Sequence, residues 1–229
     1  MKKLFVIEGV DGAGKSTQIK LLRDYFSNKG HRCEYLHFPR TESPYFGELI
    51  ARFLRGEFGS LNAVDPYLVA MLYAGDRKDA STLISTWLQD GKVVLLDRYT
   101  YSNIAYQCAK LNDNSSQEKL MHWILALEFK HFAIPEPDLN VFLDVPYAFT
   151  EKNLTESRSG NDRNYLNGTK DIHEESMLFQ KKVRDIYLRV SESDNHLAVI
   201  DCSNSQGSML KPSGIFDLII KVFHERKLI

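Results

Sequence analysis

Residues Gly9-Val10-Asp11-Gly12-Ala13-Gly14-Lys15-Ser16-Thr17 fit the pattern G-x-x-x-x-G-K-[ST]. No other stretch limits the possible folds as tightly. Ahead of it, Leu4-Phe5-Val6-Ile7 is a short apolar run of the kind that forms a buried parallel strand. Behind it, Ile19, Leu22 and Phe26 recur at helical spacing. Strand, glycine loop and helix in this order make a phosphate cradle. Glycines let successive backbone N–H groups converge on one anion, and the helix N-terminus adds partial positive charge. Gly9 to Thr17 is the expected phosphate-binding element. Lys15 is placed to reach β/γ-phosphates, and the Ser16 hydroxyl to bind or orient Mg²⁺.

The rest of the chain repeats the alternation. Cys33 to Phe38, Val93 to Leu96, Leu139 to Leu143 and Leu197 to Ile200 read as further strands. Helical patterns run from Phe46 to Leu54, Tyr67 to Leu88, Tyr101 to Lys110, Gln117 to Phe129, from Tyr147, from Asp171, and from about Gly214 to Glu225. Asp65 is a candidate N-cap, Gly30 and Gly56 are stops, and Gly75 is a weak point inside a long helix. Five strands alternating with helices imply a parallel α/β sheet covered on both faces. Ligands of such sheets lie outside the C-terminal strand ends. The glycine loop, Phe38-Pro39-Arg40, Asp97-Arg98-Tyr99 and Asp144 all fall there.

Net charge narrows the partners. With 29 basic and 30 acidic residues the chain carries −1, whereas neutralising many nucleic-acid phosphates takes a basic surface. Anion binding is therefore local. No apolar run reaches membrane-spanning length, and Glu8 and Asp11 break the short N-terminal one. Cys33, Cys108 and Cys202 are scattered without C-x-x-C spacing, which suits a reduced, cytoplasmic protein. The seven histidines show no ligand spacing, so no transition metal is expected.

Glu8 to Thr17, Phe38-Pro39-Arg40, Asp76-Arg77, and Asp97-Arg98-Tyr99 with Ser102, Asn103 and Tyr106 together resemble the thymidylate kinase family. The resemblance runs from Leu4 to the final helix. The glycine loop is shared by many nucleotide enzymes; the four elements in this order are far more specific. The resemblance implies one nucleoside monophosphate kinase domain over residues 1–229. Its fold would be a five-stranded parallel sheet flanked by helices on both faces, of P-loop NTPase type. It implies transfer of the γ-phosphoryl of ATP to dTMP with Mg²⁺, giving dTDP and ADP on the route to dTTP. It also implies a homodimer.

The resemblance gives residues roles. Asp97, at the end of a buried strand, suits the carboxylate on the Mg²⁺ side, with Ser16 as the other metal residue. Arg98 can bridge donor and acceptor phosphates. Asp11 contacts the sugar 3′-hydroxyl or the magnesium–water shell. Arg40 binds the dTMP phosphate through its fork, and Phe38 walls the base pocket or simply packs in the core. Tyr73, Asp76 and Arg77 share one helical face: Tyr73 stacks on thymine, Arg77 reads the base edge, and Asp76 orients Arg77. Asn103 helps read the base, with Ser102 beside it, and Tyr106 crowds a ribose 2′-hydroxyl. Ser157 to Lys170 is polar and lacks apolar periodicity, as a lid at about 156–170 or a plain solvated loop. Where some members carry a loop arginine after the aspartate, this chain has Gly12. The resemblance then assigns the catalytic arginine to the lid, as Arg158 or Arg163.

Other classes fit less well. A regulatory GTPase needs D-x-x-G and N-K-x-D, and neither is present in the expected places. An ATP-binding assembly module has no use for Arg40, Arg77 and Tyr106 on the open edge. A kinase for a different nucleotide or nucleoside is the nearer rival, and Arg40 favours a phosphorylated acceptor.

Overall fold

The computed structural model describes residues 1–155, 165–166, 171–173 and 177–229. Five strands form one parallel sheet: β1 (Lys3–Glu8), β2 (Cys33–His37), β3 (Val93–Asp97), β4 (Leu139–Asp144) and β5 (Leu197–Asp201), in the order β2-β3-β1-β4-β5. β1 is central, and its four apolar residues are fully buried. Its alternation divides the core. Phe5 and Ile7 pack with Val93, Leu95, Phe26 and Phe223 on one face. Leu4 and Val6 pack with Val94, Leu96, Ile84 and Leu88 on the other. Successive side chains of a strand point to opposite faces, so continuous apolar runs are what a doubly covered sheet requires. The strand order reverses about β1, and a crevice opens at its C-terminal end.

The helices are α1 (Lys15–Asn28), α2 (Phe46–Leu54), α3 (Pro66–Gln89), α4 (Thr100–Cys108), α5 (Asn114–Leu125), α6 (Tyr147–Thr155), α7 (Met177–Ser193) and α8 (Pro212–Glu225). The N-cap of α3 is Asp65, whose carboxylate accepts from Tyr67 N at 2.8 Å, with Pro66 at the first position.

Three sequence expectations change. Gly75 is no weak point: α3 runs through it unbroken, and a Cβ there would lie 2.2 Å from the Phe46 ring. Glycine lets α2 approach. The pattern over Gln117 to Phe129 does not stay α-helical. It widens into a π-helical turn, Ala126–His131, which carries Glu128 fully buried. The helix expected from Asp171 begins instead at Met177 in the described residues, and Asp171 to His173 form a turn. Asp171 Oδ1 accepts from His173 N at 2.7 Å, a local bond that competes with helix.

Candidate active site

The glycine loop leaves β1 and enters α1. Gly12 and Gly14 have φ of 77° and 82°, in the left-handed region that glycine adopts without strain. Gly14 caps α1 with no side-chain hydrogen bond, which leaves the positive end of the helix facing the loop. Val10 and Ala13 anchor the loop in the core. Ser16 and Thr17 are exposed at the helix start. Lys15 is buried, and its Nζ donates to Val10 O at 3.3 Å.

A cavity of about 730 Å³ opens beside the loop. Asp11, Lys15, Ser16, Phe38, Arg40, Tyr73, Arg77, Asp97, Arg98, Ser102, Asn103 and Tyr106 all line it. They come from the C-terminal ends of β1, β2 and β3 and from the faces of α3 and α4. Arg158 and Arg163, and most of the expected lid, lie outside the described residues.

Arg98 is the centre of the phosphate end. It is buried, with φ of 68°, and its amide donates to Ile7 O. Its Nη2 donates to Asp11 Oδ1 at 2.7 Å and to the Tyr106 hydroxyl at 3.1 Å; its Nη1 donates to Ser102 Oγ at 3.1 Å. Tyr106 OH donates in turn to Asp11 Oδ2 at 2.8 Å, and Gln180 Nε2 reaches the same oxygen at 3.0 Å. Burial alone would raise the Asp11 pKa. The Arg98 and Lys15 charges and the Tyr106 hydrogen bond outweigh it and hold this carboxyl well below the usual range. An acid inside a phosphate loop is thus neutralised by a cation and a phenol from the next strand and helix.

Asp97 lines the same cavity as Ser16. Its Oδ2 is 3.4 Å from His37 Nδ1, and its Oδ1 is buried without a hydrogen-bond partner. Burial raises its pKa, but Lys15, His37 and Arg98 outweigh that and leave it lowered, so the carboxylate is ionised. Beneath both lies Glu8, fully buried, accepting from Tyr99 N, Ser102 and Tyr187 OH. The Ser102 hydroxyl is therefore engaged by the floor of the site.

At the far end, Asp76 does not orient Arg77, contrary to the sequence expectation. Its carboxylate accepts from Arg40 N at 2.9 Å and Arg40 Nε at 2.8 Å, and Asp79 takes Arg40 Nη2 at 2.6 Å. Asp76 faces the β2 loop because residues 76 and 77 lie about 100° apart around α3. Arg77, almost fully buried, is held by Glu128 through Nε and Nη2, at 2.5 and 2.7 Å. Phe38 is buried against Tyr99, with ring centroids 5.6 Å apart, and also lines the cavity.

Sequence reasoning missed Glu128, Gln180 and the roles of Glu8 and His173. Glu128 had a signal: a lone acid between Leu127 and Phe129. Gln180 had none. His173 packs on Tyr106 and Phe179 and lines the cavity; burial and then Lys110 push its pKa down to about 3, keeping the ring neutral. Asp144, by contrast, is paired with Arg184 through both oxygens and lines a separate cavity of about 600 Å³ with Tyr147, Leu178 and Asp201.

Comparison with known proteins gives the family. Residues 7–211 match the thymidylate kinase family. A probable thymidylate kinase of Thermococcus kodakarensis is 34% identical over 201 residues, covering 86% of this chain and 87% of that one. The thymidylate kinase of Mycobacterium tuberculosis is 39% identical over 142 residues, 62% of this chain and 65% of that one. Among solved structures, the thymidylate kinase of Candida albicans shares the fold, with a TM-score of 0.70 at 24% identity over 98% of this chain and 92% of that one. A phosphate loop at the switch of a parallel sheet, a cation knotted to its acid, and this similarity lead to one conclusion: the chain belongs to the thymidylate kinase family.

Proposed function

We propose that this kinase transfers the γ-phosphoryl of ATP to dTMP, giving dTDP and ADP, with a single domain over residues 1–229 and a lid at about 156–170. The observation that carries the reading is the Arg98 knot. One guanidinium is fixed by Asp11 of the phosphate loop and by Tyr106 of the acceptor wall. On this reading it bridges donor and acceptor phosphates. Phosphoryl transfer is mostly positioning and charge neutralisation. Lys15 and the loop amides hold the donor phosphates. Arg40, prealigned by Asp76 and Asp79, binds the acceptor phosphate. Tyr73 stacks on the base, Arg77 and Asn103 read its edge, and Tyr106 excludes a 2′-hydroxyl. Arg158 or Arg163 adds charge at the transferring group.

The residues also fit Mg²⁺. Asp97 Oδ1 is an ionised, buried oxygen without a partner, on the same cavity as the Ser16 hydroxyl. Bound by them, the ion would neutralise charge on the β- and γ-phosphate oxygens.

Leu68 and Met71 are exposed one helical turn apart on α3, which supports a homodimer. The three cysteines are free thiols, which supports a cytoplasmic location. Among the described residues no helix is long and apolar enough to cross a membrane.

Steady-state phosphorylation of dTMP, dUMP, dCMP, AMP and thymidine, each with ATP, tests the reading. The expected result is that dTMP leads and thymidine, lacking the phosphate for Arg40, is not a substrate. Thymidine turnover equal to that of dTMP would overturn it.

A further inference from the structure

Two residues of the base-reading wall share one carboxylate. Glu128 Oε1 accepts from Arg77 Nη2 at 2.7 Å and Asn103 Nδ2 at 3.0 Å. Its Oε2 accepts from Arg77 Nε at 2.5 Å and Thr100 Oγ1 at 3.0 Å. These four donors match the lone-pair sites of a carboxylate. Asn103 Nδ2 also donates to Ala70 O at 3.0 Å. Both partners of that nitrogen are acceptors only. The amide therefore cannot turn over without setting oxygen against oxygen. Its Oδ1 is left buried and without a partner, on a residue that lines the cavity. Arg77 gives Nε and Nη2 to Glu128, and its Nη1 makes no hydrogen bond among the described residues. The wall thus offers one donor and one acceptor.

We propose that Glu128 is a positioning residue that sets the polarity of base recognition. By fixing Arg77 as donor and Asn103 as acceptor, it selects a pyrimidine with a C4 carbonyl beside N3–H. It rejects one with a 4-amino group beside an unprotonated N3. The inference rests on the reading of dTMP as acceptor. Thymine and uracil present the matching pair, and cytosine reverses both contacts. Donor then meets donor and acceptor meets acceptor. Sites built on such contacts discriminate far more strongly than apolar pockets do.

The test is Glu128→Gln. Its amide keeps one oxygen and puts an NH2 where the other stood, so Arg77 or Asn103 loses its acceptor at residue 128, and the donor and acceptor of the wall are no longer held together. The ratio of kcat/KM for dCMP over dTMP is expected to rise about tenfold or more. The change should come mainly through KM for dTMP, with dUMP following dTMP and KM for ATP unmoved. A folded variant with an unchanged ratio would overturn the proposal. A wild-type enzyme that uses dCMP as well as dTMP would instead sink the acceptor reading beneath it. If the variant shows no cooperative melting transition, the wild type decides. The Asn103 side-chain amide protons, tied to Glu128 and Ala70, should exchange slowly with solvent by NMR, with and without dTMP. Free exchange would overturn the proposal equally.

Discussion

The two ends of the acceptor cavity are built differently. At the base end, Arg77, Glu128 and Asn103 are all buried, and a carboxylate with four donors locks their geometry. At the phosphate end the loop relies on backbone amides, Ser16 is exposed, and Asp97 keeps an unpartnered oxygen. Choosing a base needs donors and acceptors whose identity cannot change, so they are tied down by other protein groups. Neutralising phosphate needs charge whose partners are the phosphates and their counter-ion. Arg98 and Arg40 are aligned by carboxylates, but Asp97 Oδ1 stays open; tying up every such group would use up what the reaction requires.

The largest effect expected from this contrast is at the phosphate end. Lys15→Ala should lower kcat about 100- to 1000-fold with the melting transition intact. Wild-type turnover in a folded variant would show that the backbone amides suffice. Next come the lid arginines. At least one of Arg158→Ala and Arg163→Ala should lower kcat by more than ~10-fold, roughly 1.4 kcal/mol. Calorimetric affinity for ATP and dTMP should change little, because the charge acts in the transition state. If the double variant keeps near-normal kcat, Arg98 and Lys15 carry the charge alone.

A smaller effect sharpens the boundary between the ends. Asp76 grips Arg40, so Asp76→Asn should raise KM for dTMP about 5- to 10-fold, equivalent to ~1 kcal/mol of a charged hydrogen bond. The dCMP-to-dTMP ratio should stay where it was. A moved ratio would mean that Asp76 acts on Arg77 after all.

The smallest effect concerns a buried amine just past the end of α4. Lys110 Nζ is buried without a partner, 4.7 Å from the Phe53 ring centre, and burial pushes its pKa down to about 7. In the unfolded chain a lysine titrates near ~10.4. Between those values the unfolded state binds more protons, so wild-type stability rises as pH rises from 7 toward 10. At lower pH the cost of burying the ammonium is present in full. Lys110→Met should therefore be more stable than wild type by about 1 kcal/mol at pH 6. The advantage should shrink toward pH 10. An advantage independent of pH would assign the gain to packing alone.

Much of the molecule is written in local patterns. The sheet, its parallel strands, the phosphate loop and the Asp65 cap follow from apolar runs, glycine positions and capping chemistry, which act between near neighbours in the chain. Twelve residues picked from motifs and family likeness at four separate places in the sequence line one cavity, because strand ends of a parallel sheet gather on one edge. Which acid holds which arginine was not legible. Asp76 is adjacent to Arg77 in sequence yet serves Arg40, 36 residues away, and Arg77 is served by Glu128, 51 residues away. The widened helical turn that brings Glu128 inward and the turn at Asp171 that seats His173 have equally weak local signals. Burial makes such pairings strongly favoured, since an unpaired buried charge is costly, but only the packing of α3, α4 and the π-helical turn decides which partner is within reach.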